Sequence, residues 1–185
     1  MSGKIDWKTF YMDMAHQVAM QSSSPTLKVG CVIVNDDWSK PESIGYNGGA
    51  KGLSNEVESM EPGQSGFIHA EINALIKSDY SLKNKIMFLT HSPCSVCAKA
   101  IINGDIGKLY FSELYRSIKG LEILNHSSVE VFWMGIDNKI LRLKSGYFFW
   151  DNPHTLRISE PTLKLSEALS WQETNKPTQK QQSES

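Results

Sequence analysis

The spacing in this chain best suited to chemistry is His69-Ala70-Glu71 followed downstream by Pro93-Cys94-Ser95-Val96-Cys97. Zinc accepts imidazole nitrogen and thiolate sulfur in tetrahedral geometry, and a catalytic zinc keeps its fourth position for water. His69, Cys94 and Cys97 supply three such ligands and leave that position open. An ion held in this way lowers the pKa of its water toward about 7, so hydroxide is available near neutral pH. Glu71 is not needed as a ligand and is placed to carry protons. A Cys-x-x-Cys alone would equally suit a redox pair or a structural zinc. A closed four-ligand site would need His91 or Cys31 to complete it. His16, His91, His126 and His154 have no comparable setting and read as ordinary surface or core histidines.

The spacing also dictates where such a site can lie. Cys94 and Cys97 are three apart on a helix expected to begin just after Pro93, so they fall on neighbouring turns of one face. His69 and Glu71 are two apart, which at about 100° per residue turns them roughly 200° from each other. They can serve one site only at the N-terminus of their helix. Two helix N-termini at the metal would also stabilise the thiolates through unpaired N–H groups and the macrodipole.

The elements around these residues read as α/β. Trp7, Phe10, Tyr11, Met14 and Val18 recur at helical spacing behind a candidate N-cap, Asp6. Val29–Val34 and Glu42–Tyr46 form a hairpin across Asn35-Asp36-Asp37. A Gly-, Ser-, Glu- and Asn-rich stretch from Asn47 to Phe67 is a binding loop, since connections of this length inside a compact domain are usually functional or mobile. Helices at His69–Ser78, Cys94–Asn103 and Leu121–Asn125 then alternate with strands at Ile86–Thr90, Lys108–Ser112 and Val129–Trp133. That rhythm predicts parallel pairing with crossover helices on the sheet faces.

After Met134 the rhythm weakens. Ile140, Leu141, Leu143 and Tyr147–Trp150 are too apolar to face water and must cover this core or a neighbouring subunit. Residues 1–172 are expected to form a single domain, with a C-terminal extension from about residue 135, and 173–185 a polar tail with little intrinsic structure.

Composition narrows the function classes. The 185 residues suit one core, and no apolar run approaches the roughly 18 residues of a membrane span. No secretory signal opens the sequence, so a cytoplasmic protein with no membrane partner is expected. A formal net charge of −1 gives no general attraction for polymeric nucleic acid, while a small phosphorylated ligand needs only a local cationic pocket.

His69-Ala70-Glu71 with Pro93-Cys94-Ser95-Val96-Cys97 matches the His-x-Glu…Pro-Cys-x-x-Cys signature of zinc-dependent nucleobase deaminases. With Lys28–Val34, Gly45-Tyr46-Asn47-Gly48, His69–Ala74 and Ser92–Lys99 in order, the chain resembles the cytidine deaminase superfamily over residues 5 to 135. It is more similar still to the deoxycytidylate (dCMP) deaminases of phages and eukaryotes. The long segment between Asn47 and His69 looks like the insertion of that branch.

The resemblance implies a three-layer α/β/α fold with a five-stranded mixed sheet, one catalytic Zn²⁺, and conversion of dCMP to dUMP for thymidylate synthesis. Glu71 would move the protons. Asn47 would bond the sugar and substrate, the Ala70 N–H the pyrimidine O2, and the Ser92 carbonyl the N4 amine, with Tyr115 near the phosphate. Lys28 and Arg116 are further phosphate candidates, because a dianion wants charge-assisted donors. Similar enzymes are often hexamers activated by dCTP with Mg²⁺ and inhibited by dTTP, which makes Gly48, Lys51 and Gly52 candidates for effector contact. A second, structural zinc of some relatives has no ligands here, since residues 48–68 contain neither Cys nor His. The alternatives are a deaminase of dCTP, another nucleotide or a tRNA base, or a non-catalytic zinc-dependent nucleotide-binding module.

Overall fold

The computed structural model describes residues 5–61, 63–136, 139–151 and 161–175. Its elements in chain order are α1 (Trp7–Ala19), β1 (Gly30–Val34), β2 (Pro41–Tyr46), α2 (Ala70–Lys77), β3 (Lys85–His91), α3 (Ser95–Asn103), β4 (Ile106–Glu113), α4 (Lys119–Asn125), β5 (Glu130–Ile136), β6 (Lys139–Lys144), β7 (Tyr147–Trp150), β8 (Leu163–Lys164), a 3-10 turn (Leu165–Glu167) and α5 (Ala168–Asn175). The strands form one mixed sheet in the order β2-β1-β3-β4-β5-β6-β7-β8. β1 runs antiparallel to β2 and β3, and β3, β4 and β5 run parallel. The hairpin and the parallel crossovers read from the sequence are therefore both present.

Period-two alternation sorts the strand residues onto two faces. Cys31, Ile33, Met87, Leu89, Leu109, Phe111, Val131 and Trp133 pack with Ala70, Ala74, Ala98, Ile101, Leu121 and Leu124 of α2, α3 and α4. Val32, Val34, Ile86, Phe88, Tyr110 and Phe132 face the other way, against Tyr11, Met12, Ala15 and Val18 of α1. Helices on both sides of the sheet give the three layers expected. Asp6 caps α1 by accepting from the Lys8 N–H at 3.2 Å.

Two glycines let helices lie directly on strands. A methyl on Gly30 would run into the main chain of Ala15 and Ala19 in α1, and one on Gly45 into the main chain of Ala70 and Ala74 in α2. The Gly45 contact sets the depth of the helix start that carries His69 and Glu71.

The five strands expected extend by three. β6 and β7 form an antiparallel hairpin across Ser145 and Gly146, both at positive φ, and β8 pairs with β7. Leu141, Leu143 and Phe148 bury on the α2–α4 face, joined there by Leu165 and Ala168. Leu141, Leu143 and Phe148 of the apolar stretch after Met134 thus cover this chain's own core, while Tyr147 and Trp150 stay exposed. α5 runs through Glu173 to Asn175, so helix replaces the first residues of the expected polar tail. Residues 176–185 and His154 lie outside the described residues.

Candidate active site

His69 and Cys94 are the N-cap residues of α2 and α3, and Cys97 lies one turn into α3. β3 and the short turn after it deliver Cys94, while β2 and the loop that follows deliver His69. The three ligand atoms lie within 4.8 Å of one another. His69 Nδ1 is 3.2 Å from Cys97 Sγ and 3.6 Å from Cys94 Sγ. Tetrahedral zinc, with bonds of about 2.0 Å to nitrogen and 2.3 Å to sulfur, sets such an edge at roughly 3.5 Å. The donor set as folded therefore fits this ion.

The electrostatics favour a cation at that point. A hydrogen bond from the Cys97 thiol, reinforced by His69, lowers the Cys94 pKa to about 3 despite partial burial. The same bond pushes the Cys97 thiol up. His69 is raised, chiefly by its hydrogen bond to Cys94. The backbone N–H of Cys97 also approaches Cys94 Sγ at 3.5 Å, the unpaired helix-start donor expected there.

Glu71, at the second position of α2, is 5% exposed. Burial raises its pKa, against the field of His69 and a hydrogen bond with Cys97. Its carboxyl thus reaches the triad from the helix start.

One pocket joins these groups to most of the other expected residues. Its lining includes His69, Ala70, Glu71 and Cys94 together with Asn47, Ser92, Tyr115 and Arg116. Ala70 opens α2, whose N-cap makes no side-chain capping bond, so the helix itself leaves the Ala70 N–H without an acceptor. Asn47 accepts from the Val29 N–H and donates to the Leu27 carbonyl, each at 2.8 Å. A second amide hydrogen and a second lone pair are left over from those two bonds. The Arg116 guanidinium stacks over the Tyr115 ring, 4.7 Å from its centroid. Burial raises the Tyr115 pKa, which keeps its hydroxyl a donor.

Other expected residues lie elsewhere. Lys28 is exposed and absent from the lining that its neighbours Leu27 and Val29 share. Gly48, Lys51 and Gly52 are also outside that lining; Gly48 forms an isolated bridge with Ile68 at the base of the loop.

Sequence reasoning missed several lining residues. Ser59, Met60, Glu61, Gly63, Ser65 and Phe67 of the long loop form one wall, and Ser24, Thr26 and Leu27 contribute another. The loop was recognisable as a binding element, but nothing in its composition marked which residues turn inward. His91 lines the pocket too, with Nε2 3.6 Å from Glu113 Oε2 and Nδ1 3.2 Å from Thr90 Oγ1. A signal for it existed: His91 follows Met87 and Leu89 at period two, on the strand face that carries α2 and α3.

A mixed sheet with one imidazole, two cysteine sulfurs and a buried carboxyl group gathered at two helix starts is the framework of a zinc-dependent hydrolytic deaminase. The chain belongs to the cytidine and deoxycytidylate deaminase family, whose zinc-binding region matches residues 5–113. ComE operon protein 2 of Bacillus subtilis is 29% identical over 150 residues, which span 77% of this chain and 78% of that protein. Human deoxycytidylate deaminase is 32% identical over 116 residues, 58% of this chain and 65% of that enzyme. The crystal structure of dCMP deaminase from cyanophage S-TIM5, in complex with dCMP and dUMP, superposes with a TM-score of 0.64 at 33% identity. That match covers 71% of this chain and 99% of the cyanophage one. Among the described residues, no helix is long and apolar enough to cross a membrane.

Proposed function

We propose that this enzyme hydrolyses the exocyclic amine of dCMP, giving dUMP and ammonia. The observation that carries the reading is the pocket in which His69 and Cys94 of the triad and Glu71 meet a stacked Tyr115–Arg116 pair. A base-modifying centre with a cationic, hydrogen-bonding group nearby suits a nucleotide better than a nucleoside. The substrate bound by the cyanophage relative is of that kind.

Zinc, when held by His69, Cys94 and Cys97, supplies a polarised water as nucleophile. Glu71 takes the proton of the attacking water and delivers protons to ring N3 and then to the departing amine. The Ala70 N–H holds the pyrimidine O2 and the Ser92 carbonyl accepts from N4, so the ring is oriented by main chain. Asn47 bonds the sugar with the amide hydrogen and lone pair left after it fixes residues 27–29. Tyr115 and Arg116 take the phosphate, and Lys28 adds long-range positive charge beside the pocket rather than a direct contact.

Allosteric activation by dCTP with Mg²⁺, inhibition by dTTP and a hexameric assembly extend the same reading, supported by the resemblance around Gly45–Gly48. An effector on Gly48, Lys51 and Gly52 would not compete for the pocket lining. The experiment is ammonia release from deoxycytidine, CMP, dCMP and dCTP by zinc-loaded protein, each with and without dCTP or dTTP at fixed Mg²⁺. We expect dCMP to have the highest kcat/KM; equal rates on deoxycytidine and dCMP would overturn the mononucleotide reading.

A further inference from the structure

We propose that Gln172, on the C-terminal helix α5, is a positioning residue for the phosphate end of the substrate, acting through Leu114 on the Tyr115–Arg116 pair. The inference rests on the dCMP reading above. Gln172 and Leu114 both fall beyond the family-matched region, which ends at residue 113.

β4 leaves the sheet at this point. Its last pairing to β3 is His91 with Glu113, and its last to β5 is Phe111 with Trp133. Leu114 therefore carries a main-chain N–H and C=O with no strand partner, in a residue that is only 4% exposed. Buried backbone groups of this kind must find another partner. The Gln172 carboxamide supplies both halves: Oε1 accepts from the Leu114 N–H at 2.6 Å, and Nε2 donates to the Leu114 carbonyl at 3.2 Å. A primary amide presents a donor and an acceptor side by side, which matches the edge of an extended residue; a carboxylate, with acceptors only, does not.

The opposite side of the same turn is held by Ser92. Its N–H donates to the Glu113 carbonyl at 2.8 Å, and its hydroxyl accepts from the Tyr115 N–H at 2.9 Å. The main chain at 113–115 is thus clamped between Ser92 and Gln172, and Tyr115 and Arg116 project from it into the pocket. α5 in turn is fixed to the sheet, with Trp171 edge-on to Trp133 at 5.9 Å and Ala168 fully buried. Gln172 does not line the pocket. Its effect on catalysis must pass through the backbone it holds.

The test compares wild type, Gln172→Glu, Gln172→Ala and the exposed control Glu173→Ala, all zinc-loaded. Measured are kcat and KM for dCMP and for deoxycytidine, hydrogen exchange at the Leu114 amide, zinc content and Tm. Gln172→Glu keeps the size of the side chain but sets an oxygen against the Leu114 carbonyl. It should accelerate Leu114 exchange and raise KM for dCMP about tenfold, with kcat changed less than about twofold, as expected for lost binding that is equal in ground and transition states. Gln172→Ala should act in the same direction, and Glu173→Ala should match wild type. Deoxycytidine kinetics and zinc content should be unchanged throughout. The inference is overturned if Leu114 exchange rises while KM for dCMP stays at the wild-type value, or if both substrates lose activity by the same factor. Failure of the dCMP reading itself shows separately, as a wild-type enzyme that does not prefer dCMP to deoxycytidine.

Discussion

Glu71 is held in a buried position where an ionised carboxylate is costly, yet its neighbours are one imidazole and two sulfurs that a cation would tie together. A group so placed is useful only if it exchanges protons with a ligand in the pocket. Glu71→Gln keeps the shape and leaves His69, Cys94 and Cys97 untouched, so the protein should retain a full complement of zinc. Turnover should fall by about 10²–10⁴, the usual contribution of a positioned acid–base group. Metal analysis beside an ammonia assay checks this, and near-normal activity in a zinc-replete Gln variant would remove Glu71 from its role. If Arg116 takes the substrate phosphate as proposed, Arg116→Ala should raise KM for dCMP more than it lowers kcat, and leave deoxycytidine kinetics unchanged. Glu71 and the triad were legible because their chemistry is tied to short spacings, whereas Arg116 was a candidate only through its charge. His91 was not legible, because its signal is a strand register that becomes meaningful only once the face bearing α2 is known.

The elements explain why a glycine belongs in the stretch Gly45-Tyr46-Asn47-Gly48. α2 rests on β2 with the Ala70 and Ala74 main chain where a side chain at 45 would be, as α1 rests on β1 at Gly30. The two sites make a matched pair. Gly30→Ala and Gly45→Ala should each destabilise the fold by about 1–3 kcal/mol through overpacking. Gly45→Ala alone should also weaken zinc binding and activity, because the helix it displaces begins at His69. Chemical denaturation and zinc competition titrations measure the two effects; equal zinc affinity in both variants would mean that the depth of α2 does not govern the site. The α/β alternation that places this pair was visible in the sequence. β6 and β7 were not recognised as strands, although Leu141 and Leu143 alternate with the exposed Arg142 and Lys144. The Ser145-Gly146 turn signal was present, but the aromatic run of Tyr147–Trp150 hides the period-two pattern that buries Phe148.

At the scale of the whole molecule, the triad joins two helices that the sheet holds independently. α2 lies over β1 and β2, and α3 crosses between β3 and β4, so an ion bound by His69 and by Cys94 and Cys97 ties the antiparallel edge to the parallel centre. Each helix start directly follows a loop, and loops are where local opening is cheapest. Zinc should therefore stabilise the native chain by mass action without being required for its fold, since large apolar clusters lie on both faces of the sheet. Free zinc at about a thousandfold above its Kd would contribute about 4 kcal/mol, or roughly 8–16 °C in Tm for a domain of this size. Stripping the metal with a chelator should lower Tm by such an amount while far-ultraviolet circular dichroism stays native. Zinc, but not magnesium, should restore it. His69→Ala should melt near the stripped value and lose most of its response to chelator. Cys31→Ala should keep the full zinc-dependent shift, because Cys31 is wholly buried in the sheet and is not part of the triad. A melting temperature unmoved by verified metal removal would mean that the two helix starts are locked by protein contacts alone, and that the ion serves chemistry without holding the sheet's two halves together.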